Sequence, residues 1–375
     1  MCFYAIRGWF RRVKRYWVTK RRDPRGKLEK IPHELVTQIG SQLTDASRLS
    51  FALTCRPIFD TFFNEDKQPR LATRKDREEF LQLLEKDVAN LYFCYDCAVL
   101  HPWTYRFGVT YPLFVNRACA NSYRHEILLH GYEHLMFYPA RLFINRHLHG
   151  PSHGLPLSKL EGRWKSNSPN GVRMQVARRA RILDGELFVW VSYTFNDTQG
   201  QGGNLRRLFE QTDVSICAHV HTTGGYRFPQ GKCVVEGLKR PSLEVPFIPC
   251  ENTTESCPKC LTDYSFKVIR QSKKLGWTVT IDIFKQLGSC RSPFDWKWRC
   301  LSERGGLNEP RSLHYKAGVV RERWAMAEGM EKSEAKFVDL PDREIAFIPG
   351  MRRCPWNSYT CHRDDHNCAT YGLDD

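Results

Sequence analysis

The sequence predicts an α+β fold in which a three-helix unit and a helical linker precede a mainly antiparallel, β-rich domain. Apolar residues recur at helical spacing in short runs between residues 28 and 63 and again across 73–91. Beyond the glycines of 150–154, extended runs joined by turn residues replace the helical period. We therefore divide the chain into a basic leader, the three-helix unit, the helical linker, the β-rich domain and a polar tail rich in Cys and His: 1–27, 28–66, 67–155, 156–350 and 351–375.

Individual runs support each part of this division. In the linker, Thr73 can cap a helix that extends to Leu91, and a helical period returns over Asn121–Leu148. The β-rich domain contains two pairs of extended runs, Val172–Leu183 with Glu186–Phe195 and Asp263–Arg270 with Trp277–Gln286. Asp184-Gly185 joins the first pair and is a dipeptide typical of two-residue hairpins. A late helix is expected over Leu313–Glu328.

The three-helix unit combines helix signals with more apolar surface than it can bury. Pro32 fits a first helical turn, where a missing N–H costs nothing. The first helix carries a stripe of apolar residues four positions apart, Leu35, Ile39 and Leu43. Asp45 is a candidate N-cap of the second helix, and Pro57 ends that helix because proline disfavours helical dihedrals at the residue before it. Helices of about ten residues cannot bury all these faces against each other, so we expect some apolar surface to be left for a partner.

This unit resembles an F-box. The family pattern runs Leu-x-x-Leu-Pro-x-Glu-Leu, then spaced Ile and Leu positions, then a Leu run that closes on Cys-Arg. The matching residues here are Leu28, Ile31, Pro32, Glu34, Leu35, Ile39, Leu43, Leu49, Leu53, Cys55 and Arg56. Ile31 replaces the usual Leu before the proline, which is an apolar substitution of similar size.

The resemblance implies a non-catalytic adaptor that docks on the Skp subunit of a Skp–cullin–F-box ubiquitin ligase. The β-rich domain would then hold a protein substrate for ubiquitination. The residues expected to contact the Skp subunit are Ile31, Pro32, Leu35, Ile39, Leu43, Leu49 and Leu53.

The longer arrangement is similar to filamentous-fungal F-box proteins of undefined function. They share a Cys-x-x-Cys segment followed by Leu-His, a helix that ends near Asn-Arg-His, and a later Cys-x-x-Cys-x-Thr-Asp. The corresponding residues here are Cys94, Cys97, Leu100, His101, Asn145, Arg146, His147, Cys257, Cys260, Thr262 and Asp263. This similarity implies a fungal source and no particular activity.

The two Cys-x-x-Cys pairs are the strongest candidates for metal sites. A gap of two residues lets both thiolates reach one tetrahedral zinc ion. Cys94 and Cys97 have His101 and Cys119 as nearby partners. The second pair and its partners are Cys257, Cys260, Cys217 and His219, with His221 and Cys250 also near. We favour two structural zinc sites over one shared four-cysteine site, and the alternative is a set of free thiols.

The net charge of +16 is concentrated at the N-terminus. Residues 1–30 contain eleven Lys and Arg against two acidic residues, so they carry +9 and the other 345 residues carry +7. A folded part that is only mildly basic argues weakly for nucleic-acid binding. The alternative function that we keep is a zinc-stabilised nucleic-acid-binding protein that uses the basic leader, although a nucleic acid is an unlikely partner.

Cysteine usage and hydropathy favour a cytoplasmic or nuclear protein. The fifteen cysteines are odd in number, and the N-terminus lacks the apolar segment of a secretory signal. No apolar run reaches the roughly eighteen residues that cross a bilayer, so no membrane contact is expected. A reducing compartment follows, in which paired cysteines bind metal instead of forming disulfides.

An enzymatic function is not expected. His130-Gly131-Tyr132-Glu133-His134 spells the HxxEH of inverted zinc peptidases, which requires one helical face for both histidines. Gly131 weakens such a helix, and no third ligand is evident. No phosphate-binding loop or nucleophile elbow is present in the sequence. The aromatic run of residues 294–298 is expected to pack against its own sheet.

Overall fold

The structure, a computed structural model, divides the chain into two compact units between Pro102 and Trp103. This division falls inside the segment 67–155 that the sequence predicts as a linker. The residues it describes are 31–63, 71–103, 126–130, 133–167, 171–197, 202–211, 214–222, 233–234, 247–272, 276–302, 315–331 and 342–344. The basic leader, the polar tail and Cys119 lie outside these residues.

The first unit begins with the three short helices expected from the sequence. They are α1 (His33–Gln42), α2 (Asp45–Ala52) and α3 (Arg56–Phe62). Pro32 is the N-cap of α1 and so precedes the first turn, in which the sequence predicts it. The N-cap of α2 is Thr44 instead of the predicted Asp45, because the Thr44 hydroxyl accepts the Ser47 N–H at 3.2 Å. Asp45 becomes the first helical residue, where its negative charge interacts favourably with the positive end of the helix dipole.

The core of this unit uses the helix face beside the predicted apolar stripe. On α1 the buried residues are Val36 and Gly40, whereas Leu35 and Ile39 point outward. A Cβ added to Gly40 would lie 2.3 Å from two ring carbons of Phe62, so the glycine lets α1 and α3 approach closely. This close approach explains why a glycine occupies the inner face of the helix.

A longer helix and a hairpin complete the first unit. The elements are α4 (Arg74–Asp87), β1 (Leu91–Cys94) and β2 (Val99–Pro102), and the two strands pair in antiparallel. Thr73 and Asp76 form a capping box at the start of α4, which confirms the predicted cap. The helix ends at Asp87, four residues earlier than predicted, and Leu91 belongs to the hairpin.

The second unit opens with a hairpin where the sequence predicts a helix. Its strands β3 (Glu126–His130) and β4 (Glu133–Met136) are antiparallel, and only then does α5 (Phe137–His149) begin. The helix predicted over Asn121–Leu148 is therefore wrong for Glu126–His130 and Glu133–Met136. His130 lies opposite Glu133 on the neighbouring strand. The peptidase hypothesis fails, because His130 and His134 are on two strands and not on one helical face.

A seven-stranded sheet forms the centre of the second unit, and its order is β10-β11-β12-β7-β6-β5-β13. The strands are β5 (Gly162–Asn167), β6 (Val172–Leu183), β7 (Glu186–Asp197), β10 (Cys250–Ser256), β11 (Thr262–Ser272), β12 (Gly276–Gly288) and β13 (Asp342–Glu344). Neighbours are antiparallel except for β13, which runs parallel to β5 at the edge. The α+β class and the antiparallel sheet are thus confirmed.

The hairpin of β6 and β7 forms where the turn dipeptide predicts it. Asp184 and Gly185 both have positive φ, 52° and 74°, as a type I′ turn requires. The second predicted pair is also present, since β11 and β12 are antiparallel partners. A short parallel pair lies outside the main sheet, β8 (Val220–His221) with β9 (Cys233–Val234).

Helices pack against this sheet. They include α6 (Gly203–Gln211), α7 (Trp296–Arg299) and α8 (Val319–Glu331). Helix α8 starts six residues later than predicted, and its Val320 and Trp324 join a core cluster with Phe188, Leu261 and Phe284. No helix within the described ranges has the length and apolar character to cross a membrane.

The aromatic run 294–298 is only partly in the core. Trp298 is fully buried and meets the ring of Phe137 edge to face, with ring centroids 5.2 Å apart. Phe294 and Trp296 remain 61% and 52% exposed. The predicted packing against the protein's own sheet therefore holds for Trp298 and is wrong for the other two aromatic residues.

Candidate functional site

Two groups of Cys and His side chains come together among the described residues. Cys217, His219, Cys257 and Cys260 form the first, here called the four-donor group, and their ligand atoms all lie within 4.8 Å of one another. Cys94, Cys97 and His101 form the second, here called the three-donor group. Each group combines a predicted Cys-x-x-Cys pair with its predicted partners, and both could hold a metal ion.

Two tight turns position the donors of the four-donor group. Cys257 and Cys260 occupy the turn between β10 and β11, which closes when the Cys257 N–H donates to the Thr262 carbonyl at 2.9 Å. The Lys259 N–H points at the Cys257 Sγ at 3.4 Å. In the loop before β8, the His219 N–H points at the Cys217 Sγ, also at 3.4 Å. Because hydrogen bonds to sulfur favour the thiolate, both turns prepare their cysteines to bind a cation.

The spacing of the four-donor group fits a tetrahedral metal site. The His219 Nδ1 lies 3.7 Å from the Cys257 Sγ and 3.9 Å from the Cys217 Sγ. Zinc with ordinary Zn–S and Zn–N bond lengths would separate sulfur and nitrogen by about 3.6 Å. All four residues are buried. The donor atoms therefore lie close to the separations that a tetrahedral zinc ion requires.

The electrostatics of the three thiols favour the binding of a positive charge. Burial opposes the ionisation of Cys217, but hydrogen bonds with Cys257, Cys260 and His219 outweigh it and hold the pKa of Cys217 well below its ordinary value. The pKa of Cys257 is raised chiefly by its hydrogen bond with Cys217, and that of Cys260 chiefly by burial. The Cys217 thiolate thus dominates the shift of Cys257 and adds to that of Cys260. A divalent cation would remove this conflict, because it stabilises all three thiolates at once.

The residues after the second Cys pair connect the site to helix α8. Asp263 is fully buried, and its Oδ2 accepts the N–H groups of Val320 and Arg321 at 2.7 and 3.0 Å. The Tyr315 hydroxyl lies 3.1 Å from the Cys260 carbonyl and 3.3 Å from that of Cys257. Asp263 therefore caps a distant helix, which explains the Thr-Asp after the cysteines. Sequence reasoning noted this dipeptide but missed its role.

The three-donor group is less enclosed. Cys97 Sγ lies 3.4 Å from Cys94 Sγ and 3.3 Å from His101 Nε2. Hairpin β1–β2 builds this arrangement, since its turn holds Cys97 and its second strand holds His101. Cys97 is only half-buried. Cys119, the predicted fourth ligand, lies outside the described residues.

Two other predicted donors do not join the four-donor group. Cys250 is half-buried and stands outside the group. The side chain of His221 is not among those described.

The predicted partner-binding residues form three sets that differ in exposure. Leu35 is 49% exposed and Ile39 43%, and Pro32 is also exposed. Ile31, Leu43 and Leu53 are half-buried. Leu49 is only 3% exposed and belongs to the unit's own core, so its contact with a partner stays a prediction. The exposed pair on α1, Leu35 and Ile39, is here called the α1 face.

No protein-family model matches the chain, and no curated protein and no solved structure matches it either. Its function therefore has to be inferred from its own side chains.

Proposed function

We propose that the chain is an F-box adaptor that docks on the Skp subunit of a Skp–cullin–F-box ubiquitin ligase. The supporting observation is the α1 face. Exposed apolar side chains that adjoin one another mark interaction surfaces, whereas single exposed ones are ordinary. Leu35 and Ile39 lie one helical turn apart in the segment that resembles an F-box, while Val36 and Gly40 supply the internal packing.

In this role the chain does no chemistry of its own. The first unit binds the ligase, and the second unit holds an unidentified protein substrate near the ubiquitin-conjugating enzyme. Holding two reactants together raises the effective concentration of the substrate lysines. The basic leader, on which nucleic-acid binding depends, lies outside the described residues, and we do not propose that function.

We further propose that both Cys/His groups hold structural zinc. The four-donor group supplies three sulfurs and one nitrogen from the protein, which fills a tetrahedral shell and leaves no open position for a substrate. The three-donor group supplies two sulfurs and one nitrogen, all from the first unit. Zinc would then tie the loop before β8 to the β10–β11 turn and stabilise the second unit, since metal binding contributes directly to folding.

A pull-down from fungal lysate tests the docking proposal. The test variant is Leu35→Ala/Ile39→Ala, which removes the apolar face and keeps residues that favour a helix. The matched control is Gln38→Ala/Gln42→Ala, two exposed positions on the same helix. The wild type and the control should recover the Skp subunit and a cullin, and the test variant should not. Equal recovery by all three proteins would refute the docking face.

A further inference from the structure

Lys285 is a buried ammonium group without a described anionic partner. Only 1% of the residue is exposed. Its Nζ donates to the carbonyls of Leu128 and Leu129 on β3, at 2.5 and 3.2 Å. Within the described part of the chain, no carboxylate forms an ion pair with it. A buried charge that meets only neutral dipoles is costly, so an anion is to be expected nearby.

The four-donor group would supply such an anion once it holds zinc. Three thiolates and a neutral imidazole around Zn²⁺ carry a net charge of −1. All four donors are buried, so water cannot offset this charge. The zinc-bound group and Lys285 therefore each need a charge opposite to their own.

The register of the sheet connects Lys285 to this group through one residue, Thr262. Lys285 on β12 lies directly opposite Thr262 on β11. Residues opposite each other in an antiparallel pair project from the same face, with Cβ atoms about 5 Å apart. The Thr262 hydroxyl in turn lies 3.2 Å from the Cys260 Sγ.

The electrostatics of Lys285 agree with this placement. Burial lowers the pKa of Lys285 to about 8, and negative charge on Cys217 and Cys260 acts in the opposite direction. The lysine therefore senses the charge of two of the three sulfurs.

We propose that Lys285 is the charge partner of the four-donor group and that its ammonium strengthens zinc binding without being a ligand. The carbonyls of Leu128 and Leu129 hold the ammonium in position. This inference rests on the proposed zinc site. It adds a charge partner that the spacing of Cys and His does not reveal, because lysine is not among the usual zinc ligands.

Chelator competition on the full-length chain tests the inference. Lys285→Met removes the charge and keeps a similar shape. The matched control is Lys297→Met, because Lys297 is also a mostly buried lysine of this unit but pairs with Glu186. Partners just outside the ligand shell typically change metal affinity by about 10–100-fold. We expect a loss of zinc affinity of this size in Lys285→Met and a change of less than about 3-fold in the control.

Two further variants separate charge from folding. Lys285→Arg keeps the positive charge, whereas Lys285→Gln is polar and neutral. The Lys285→Arg variant should bind zinc nearly as tightly as the wild type. The Lys285→Gln variant should lose zinc affinity to the same extent as Lys285→Met. Equal zinc affinity in Arg and Gln variants, or in wild type and Lys285→Met, would overturn the role of the charge. A wild-type chain without zinc at the four-donor group would instead refute the proposed site, so the two failures are distinguishable.

Discussion

Replacing Asp263 should separate helix α8 from the sheet. The carboxylate accepts two backbone N–H groups at the start of α8 through Oδ2. It also receives the Ser256 hydroxyl at Oδ1. Because Asp263 is fully buried, no water can replace these bonds when the side chain is shortened. In Asp263→Ala, the first turn of α8 therefore loses its cap.

The expected magnitude follows from the bonds that are lost. A hydrogen bond to a charged group contributes about 1.5–3 kcal/mol, and each buried donor left unpaired costs about 1–3 kcal/mol. Two backbone donors at Val320 and Arg321 are affected. We expect Asp263→Ala to lower the free energy of unfolding by roughly 3–5 kcal/mol. Asp263→Asn keeps an acceptor for both backbone donors but loses the charge and the acceptor of the Ser256 hydroxyl, so it should cost about 1–2 kcal/mol.

Urea unfolding followed by circular dichroism measures these differences. The matched control is Glu322→Ala, an acidic residue in the first turn of the same helix. Glu322 is half-exposed and lies 3.6 Å from the Lys316 Nζ, so its removal should cost less than about 1 kcal/mol. If Asp263→Ala were no more destabilising than Glu322→Ala, the capping role of Asp263 would be wrong.

Three further predictions concern packing, thiol reactivity and turn geometry. Gly40→Ala should lower the free energy of unfolding of the first unit by about 1–3 kcal/mol, although alanine favours helices, because the new Cβ would lie 2.3 Å from the Phe62 ring. An unchanged melting temperature would contradict this prediction. After zinc removal at pH 7, iodoacetamide should label Cys217 faster than Cys290, because the pKa of Cys217 is lowered and burial raises the pKa of Cys290. Mass spectrometry measures the two labelling rates, and equal rates would refute the predicted difference. Gly185→Ala should lower the free energy of unfolding, measured with urea, by about 1 kcal/mol. The cause is the φ of 74° alone, because no atom lies near the added Cβ. A stabilised variant would contradict the turn assignment.

Sequence patterns were sufficient to predict the structure where residues that are close in sequence also contact each other. The Asp184-Gly185 turn joins strands whose pairing follows directly from it, and the capping box at Thr73 needs only four residues. The two Cys-x-x-Cys pairs are equally local, so their metal-binding pattern could be read from spacing. These features depend on backbone geometry within a few residues.

Features set by distant contacts could not be read in this way. On α1 the apolar stripe of Leu35, Ile39 and Leu43 could be predicted, but the buried position of Gly40 could not, because glycine is not apolar. Only the contact with Phe62 shows that a glycine belongs inside. The strands β3 and β4 are short apolar runs, which helical and extended patterns describe equally well. Their pairing with each other decides the outcome.

Buried charges are the least accessible to sequence reasoning. Asp263 and Lys285 look like ordinary strand residues, and both are buried by partners dozens of residues away. Their functions depend on the register of β11 and β12, which places each beside its partners.

Calorimetry with a purified Skp-family subunit tests the central proposal most directly. The α1 face leaves 49% of Leu35 and 43% of Ile39 exposed. Full burial of such a side chain contributes about 1.5–3 kcal/mol, so covering the exposed halves of both contributes roughly 1.5–3 kcal/mol together. We therefore predict one-to-one binding by the wild-type chain and an affinity about 10–100-fold weaker for Leu35→Ala/Ile39→Ala. No binding by the wild type, or equal binding by both chains, would contradict the adaptor function.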